Sequence, residues 1–168
     1  VPVGIGTDGS SSADNQNMFE AMRLAAFVSR VFDRPPAAWI GAAEALKLAT
    51  EGSARVLGMA DMIGRIAVGY KADLAFLDLT HVNLVPLNNP VFQLVNTEDG
   101  GAVRDVMIGG RFVLRDGTLV GIDWPAIVTR ARDAAARLAE ANAGARAAAE
   151  RLGDIVSMFC VGLGRCSH

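Results

Sequence analysis

At 168 residues, 51% of them hydrophobic, the chain is long enough to bury one sizeable core, as one medium domain or two small ones. Sixteen basic against eighteen acidic residues leave a formal charge of −2, which offers no electrostatic footprint for nucleic acid or an anionic membrane. No apolar run approaches the ~20 residues of a membrane span and no charged-then-apolar leader opens the chain, so a cytoplasmic setting is expected. Cys160 and Cys166 are too few for a disulfide framework and read as free thiols. The first residue is Val1 inside a strand-like apolar run, so the chain is expected to be cut from a longer one.

In chain order, Val1, Val3 and Ile5 alternate with Pro2, Gly4 and Gly6 and stop at Thr7-Asp8-Gly9, a pattern that predicts a strand ending in a turn. Asp14 is a candidate N-cap for a helix over about 15–32, in which Met18, Met22, Ala25, Ala26 and Phe32 recur at helical spacing and the methionines read as core. Pro35-Pro36 punctuates the chain before a second predicted helix, 37–48, with Trp39, Ala43, Leu46 and Ala49 on one face. Thr50-Glu51-Gly52 should break it ahead of a short helical turn at 53–57, which Gly58 can end in a left-handed conformation.

From Ile63 onward the pattern becomes short β-like runs, with predicted strands at 72–79, 103–108, 111–114 and 118–122. Gly109-Gly110 and Asp116-Gly117 supply tight turns, so these strands read as a meander. Lys71 and Asp73, on the approach to the first, read as a solvated pair. The tail begins with Asp123 as cap and Trp124-Pro125 in the first turn, and predicts one long helix to about 159. Its apolar seam, from Ile127 through Ala134 and Leu138 to Leu152, suits packing on its own protein or on a partner.

The chemically informative spot is Thr7-Asp8-Gly9. A carboxylate where a parallel strand ends lies on the face where α/β barrels build their active sites. An Asp that opens a turn is also a common structural residue, and spacing alone leaves both readings open. Asn15, Gln16 and Asn17 at a helix start read as capping and solvated residues, so no substrate-binding residue is assigned. His81 reads as a surface or second-domain histidine. Cys160, Cys166 and His168 lack a fourth donor and a metal-ligand spacing.

Three segments in order, Val3-Gly4-Ile5-Gly6-Thr7-Asp8-Gly9, Met18-Phe19-Glu20-Ala21-Met22-Arg23 and Ala49-Thr50-Glu51-Gly52-Ser53-Ala54-Arg55-Val56-Leu57-Gly58, resemble the end of an amidohydrolase-superfamily protein. Ile63-Gly64 and Gly69-Tyr70-Lys71-Ala72-Asp73-Leu74 continue the likeness in register, to about Val120. The branch is that of the atrazine and triazine chlorohydrolases and the nucleobase and adenosine-derivative deaminases. The resemblance implies an α/β chain: the C-terminal part of a (β/α)8 TIM-like metal-dependent hydrolase barrel, a small β-sandwich subdomain and a long terminal helix. The expected parts are 1–60, 61–122 and 123–168.

In that family the Asp after the last barrel strand helps bind one divalent zinc or iron ion and exchanges protons with water, a role the resemblance gives to Asp8. The implied reaction is hydrolytic deamination of a purine, pyrimidine or triazine-like ring. The family's His-x-His pair and two further histidines are absent from this chain, so the fragment alone is expected to be inactive and to need the missing N-terminal part of the same protein. Two departures stand out: Ser12-Ala13-Asp14-Asn15 replaces a Ser-Asn-Asn run, and Pro86-Leu87-Asn88-Asn89-Pro90 puts Asn89 where relatives often carry an acid. The alternative reading is a non-catalytic scaffold or association module. Uncovered barrel surface would favour docking onto other copies, as in a homo-oligomer.

Overall fold

The structure is a computed structural model that describes residues 1–13, 15–33 and 35–162, the side chains of residues 13 and 154–162 excepted. The expected cap Asp14, the Cys160 side chain, Cys166 and His168 lie outside the described residues. Residues up to Gly121 form one compact unit and those from Ile122 onward a second.

The first unit begins without a strand. Residues 1–9 carry no ladder hydrogen bonds to the other described residues, so the strand expected over 1–6 is not formed within this chain. Alternation writes a strand-compatible segment, but a strand exists only where another strand satisfies its N–H and C=O groups, and no described residues do so here. The segment is instead tied to a helix: Ile5 N–H donates to the Leu48 carbonyl at 3.3 Å.

After a single helical turn, α1 (Ser10–Ala13), helix α2 spans Met18–Val28. It starts later than expected because Asn17 is its cap, the side-chain oxygen accepting from Phe19 N (2.9 Å) and Glu20 N (3.3 Å), with Glu20 favourably placed in the first turn. Met22 and Ala26 are buried on its inner face, as the spacing requires. A 3-10 turn, Pro36–Ala38, precedes α3 (Ala42–Lys47). The expected break at 50–52 is instead a π-helical turn, Leu48–Gly52, that runs on into α4 (Ser53–Val56), which Gly58 ends at φ 70°. Within the turn the Leu48 carbonyl accepts the Ser53 N–H, and it accepts from Ile5 N as well.

The core of this unit is small: Met22, Ala26, Ala45 and Val95 are buried, with Ile5, Phe19, Ile40 and Leu46 packed against them. Val95 belongs to α5 (Pro90–Asn96), a helix the sequence reading missed. Asn89 caps it by accepting from Phe92 N at 3.0 Å, Pro90 stands in its first turn, and Gln93 Oε1 accepts in return from Asn88 N and Asn89 N.

Strands β1 (Leu74–Leu77), β2 (Val103–Ile108), β3 (Arg111–Arg115) and β4 (Thr118–Leu119) form an antiparallel sheet in the order β1-β2-β3-β4, the expected meander. Gly109 (φ 55°) and Gly110 (φ 79°) make the β2–β3 turn with both central residues left-handed, which matches the twist of the flanking strands. Asp73 is no solvated partner of Lys71: its Oδ1 accepts from Gly109 N at 2.6 Å and pins that turn. Strand β1 stops short of residue 79 because Asp78 Oδ1 accepts from Thr80 N and Thr80 Oγ1, an Asx turn that replaces the ladder. Buried Asp105 holds the second hairpin, accepting from Asp116 N and from Arg104 Nε, each at 2.8 Å.

In the second unit the expected single helix is two, α6 (Trp124–Ala141) and α7 (Ala143–Gly162). Asp123 caps the first through Ala126 N, as expected. The interruption falls at Asn142, whose backbone leaves the helical region (φ −102°, ψ 9°) while its side-chain amide donates to the Leu138 carbonyl. Among the described residues no helix is long and apolar enough to cross a membrane.

Two stability predictions follow from this packing. A Cβ on Gly52 would lie 2.6 Å from the Val3 carbonyl oxygen, a backbone atom, so Gly52→Ala should destabilise by about 1–3 kcal/mol in urea denaturation. Asp105 is held below the usual carboxylate value of 3.8, first by the Asp116 N–H and then by Arg104. A depressed carboxyl contributes stability that is present above pH 3.8 and lost as pH falls through its folded value. Thermal denaturation against pH should therefore show Asp105→Asn with a lower melting temperature than the parent at neutral pH and a gap that narrows in acid.

Candidate active site

Asp8 ends the segment that α3, the π turn and α4 hold. Its backbone is left-handed (φ 59°), an uncommon state for a residue with a side chain and one that Asp tolerates because its carboxylate can bond locally. Oδ1 accepts from Gly9 N at 2.7 Å, and Thr7 Oγ1 donates to the Asp8 carbonyl at 3.3 Å. The side chain is exposed, and among the described residues Oδ2 makes no protein bond, leaving one carboxylate oxygen fixed and the other open.

Beside it in sequence lies a concavity of about 220 Å³, lined by Gly6, Thr7, Asn15, Asn17, Glu20 and Leu24 among others; Asp8 is not among its lining residues. The amides at this hollow are engaged within the protein. Asn15 Oδ1 accepts from Asn17 N at 3.1 Å while its amide donates to Glu20 Oε2. Asn17 caps α2, and its Nδ2 donates to the Asp99 carbonyl at 2.6 Å. These are the capping roles that the sequence reading gave them.

Asp99 sits in a loop organised by a carboxylate that the sequence reading missed. Glu98 is fully buried; its Oε1 accepts from Gly100 N (2.8 Å) and Ala102 N (2.9 Å), and Oε2 has no partner among the described residues. Arg23 of α2 donates to the Glu98 and Val95 carbonyls, so α2, α5 and this loop are laced together behind the hollow. A fully buried Glu is rare enough that composition gave no cue; its apolar neighbours Val95 and Ala102 were the available signal. His81 lies in the loop after β1, half-buried, its Nδ1 accepting from Asn83 N at 3.3 Å. Asn89, the substitute for an acid, serves as the α5 cap.

Among the described residues no three His, Cys, Asp or Glu side chains gather closely enough to hold a metal ion. A catalytic zinc ordinarily takes three protein ligands, so Asp8 with its open oxygen fits one position of such a site and not a complete one.

A helical layer around a small core, a four-stranded meander and one carboxylate on a pinned turn are the features that define the class. The model of the amidohydrolase family matches residues 1–113, and the chain belongs to that family. It is 38% identical over 138 residues to the 5-methylthioadenosine/S-adenosylhomocysteine deaminase of Acetivibrio thermocellus, covering 82% of this chain and 32% of that protein. The enzyme of the same name from Pyrococcus abyssi is 32% identical over 130 residues, covering 77% of this chain and 30% of that one. Among solved structures, an adenosine deaminase from Xanthomonas campestris with bound zinc superposes with a TM-score of 0.77 at 37% identity, covering 82% of this chain and 31% of its own. The atrazine chlorohydrolase of Arthrobacter aurescens complexed with zinc gives 0.70 at 33% identity, covering 77% and 29%. The chain thus spans about a third of the length of the curated relatives it matches.

The Glu98 arrangement makes a prediction about stability. Glu98→Ala leaves the Gly100 and Ala102 N–H groups without an acceptor and should cost about 2–4 kcal/mol. Glu98→Gln keeps a carbonyl at Oε1 as acceptor for both N–H groups, and should stay within about 1 kcal/mol of the parent in denaturant titrations.

Proposed function

We propose that residues 1–168 are the C-terminal part of a metal-dependent amidohydrolase that deaminates an adenosine derivative hydrolytically. The observation that carries this reading is the 38% identity, across 82% of the chain, to a 5-methylthioadenosine/S-adenosylhomocysteine deaminase, together with a family-model match over residues 1–113 that includes the Thr7-Asp8-Gly9 turn. On this reading residues 1–60 supply the last strand and helices of a (β/α)8 barrel, 61–122 part of a β-sandwich subdomain and 123–168 the terminal helices. Exposed Val1 and Val3 then acquire neighbours from the rest of the barrel.

Asp8 is the group this chain brings to the chemistry, one ligand among others that come from outside these residues. A bound zinc or iron ion would supply the acidification of water, lowering its pKa from far above neutrality to about 7. The division of labour within Asp8 follows from its bonds: Oδ1 is occupied by Gly9 N, which fixes the plane of the carboxylate, and Oδ2 is free to accept a proton. Water adds to the ring carbon that carries the amino group, the carbon–nitrogen bond breaks, and the proton held at Oδ2 passes to the departing ammonia. The hollow beside Asp8 stays rigid because its asparagines are tied into the α2 cap and the Asp99 loop.

Ammonia release from adenosine, 5-methylthioadenosine and S-adenosylhomocysteine by the full-length protein, with metal analysis of the same sample, tests this reading. Near-stoichiometric zinc or iron and turnover of at least one of the three are expected. Asp8→Asn preserves shape and removes the proton acceptor, so it should lower kcat by about a thousandfold or more with the melting temperature retained. A loss of only a few-fold would remove Asp8 from the proton transfer.

A further inference from the structure

We propose that Ser53 is a positioning residue for Asp8: its hydroxyl clamps the Ile5 peptide against the π turn and so fixes where the carboxylate stands. The proposal rests on the reading of Asp8 given above. Ser53 Oγ donates to the Ile5 carbonyl at 2.7 Å and accepts from Ile5 N at 3.2 Å, with the Leu48 carbonyl also within reach at 3.1 Å. Both polar groups of one peptide residue are thereby held by one side chain, as a neighbouring strand would hold them.

The fit around this clamp leaves no slack. A Cβ on Gly4 would lie 2.6 Å from Ser53 Cα, and one on Gly52 would lie 2.6 Å from the Val3 carbonyl, so the two backbones cross at the closest approach that glycine permits. Among the described residues, the polar ties between residues 1–6 and the rest of the chain are those at Ile5. Only Gly6 and Thr7 separate Ile5 from Asp8, too short a span to absorb a shift at Ile5. The π turn is what presents both the Leu48 carbonyl and the Ser53 hydroxyl to that peptide, which gives the 49–58 motif a function beyond helix formation.

The test compares Ser53→Ala and Ser53→Cys with the parent in the full-length protein, reading kcat, KM, melting temperature and the rate at which a chelator strips bound metal. Misplacing a reacting group by about 1 Å costs up to about a hundredfold, so Ser53→Ala should lower kcat about tenfold with KM within about twofold. Metal should be lost several-fold faster, while the melting temperature stays within a few degrees. Cysteine, of similar shape but a weaker hydrogen-bonding group, should fall between serine and alanine, and it decides the matter if the alanine variant does not fold. Parental kcat and metal retention in the variant, with Asp8→Asn inactive, would overturn the clamp alone. A lower melting temperature with unchanged kcat would reduce Ser53 to a structural residue and overturn it too. An active Asp8→Asn overturns the reading of Asp8 and the clamp with it.

Discussion

The constraint on which the rest of the first unit depends is a backbone crossing in which residues 3–5 pass over Gly52 and Ser53 with no room for a side chain between them. Ile5 makes the crossing productive in two ways. Its peptide is bonded to Leu48 and Ser53, and its side chain packs against the core formed by Met22, Ala26, Ala45 and Val95. A segment without ladder partners thus acquires a defined path, and the turn carrying Asp8 inherits it. The π turn belongs to the same constraint, since the Leu48 carbonyl that accepts the Ser53 N–H within it also accepts from Ile5 N.

A second tether acts from the far side of the Asp8 turn. Asn17 links the cap of α2 to the Asp99 carbonyl, and the loop holding Asp99 is shaped by buried Glu98, whose single bonded oxygen serves two N–H groups. The Asp8 turn therefore lies in sequence between an anchor at Ile5 and one at Asn17. The two anchors lie on different layers, the first on the α3–α4 helix and the second where α5 meets the loop before β2. Their spacing is set by the core that α2, α3 and α5 share.

Much of this was legible in the sequence where local rules decide. The meander was visible because Gly109-Gly110 and Asp116-Gly117 can place both central residues at positive φ, and β2 falls on the predicted residues. The inner face of α2 was visible in Met22 and Ala26. Failures came where a partner outside the local window decides. Residues 1–6 alternate like a strand but meet no strand, and Gly52, read as a helix breaker, is tolerated within a π turn because the Val3 carbonyl needs its missing side chain. Helix α5 carries a local start signal, since Asn89-Pro90 is a cap followed by a first-turn proline. The Asp8 turn was legible as a site and its geometry was not, because nothing local states that Ser53 and Gly4 must meet.

Under the proposed reading, this chain would contribute more than one carboxylate to a deaminase. Asp8 is exposed, and among the described residues it stands apart from any cluster of metal-binding groups, so a centre built around it needs donors from elsewhere in the protein. What these residues do supply is the fixing of that carboxylate: Gly9 N sets its plane, the left-handed backbone at Asp8 sets its direction, and the crossing at Ile5 sets its distance from the helices. A carboxylate that would both ligate a cation and accept a proton gains from such rigidity, because motion of a few tenths of an ångström would be felt in both roles at once. Leu24, Phe27 and Val28 leave an exposed apolar face on α2, a surface that further chain would cover under the proposed reading.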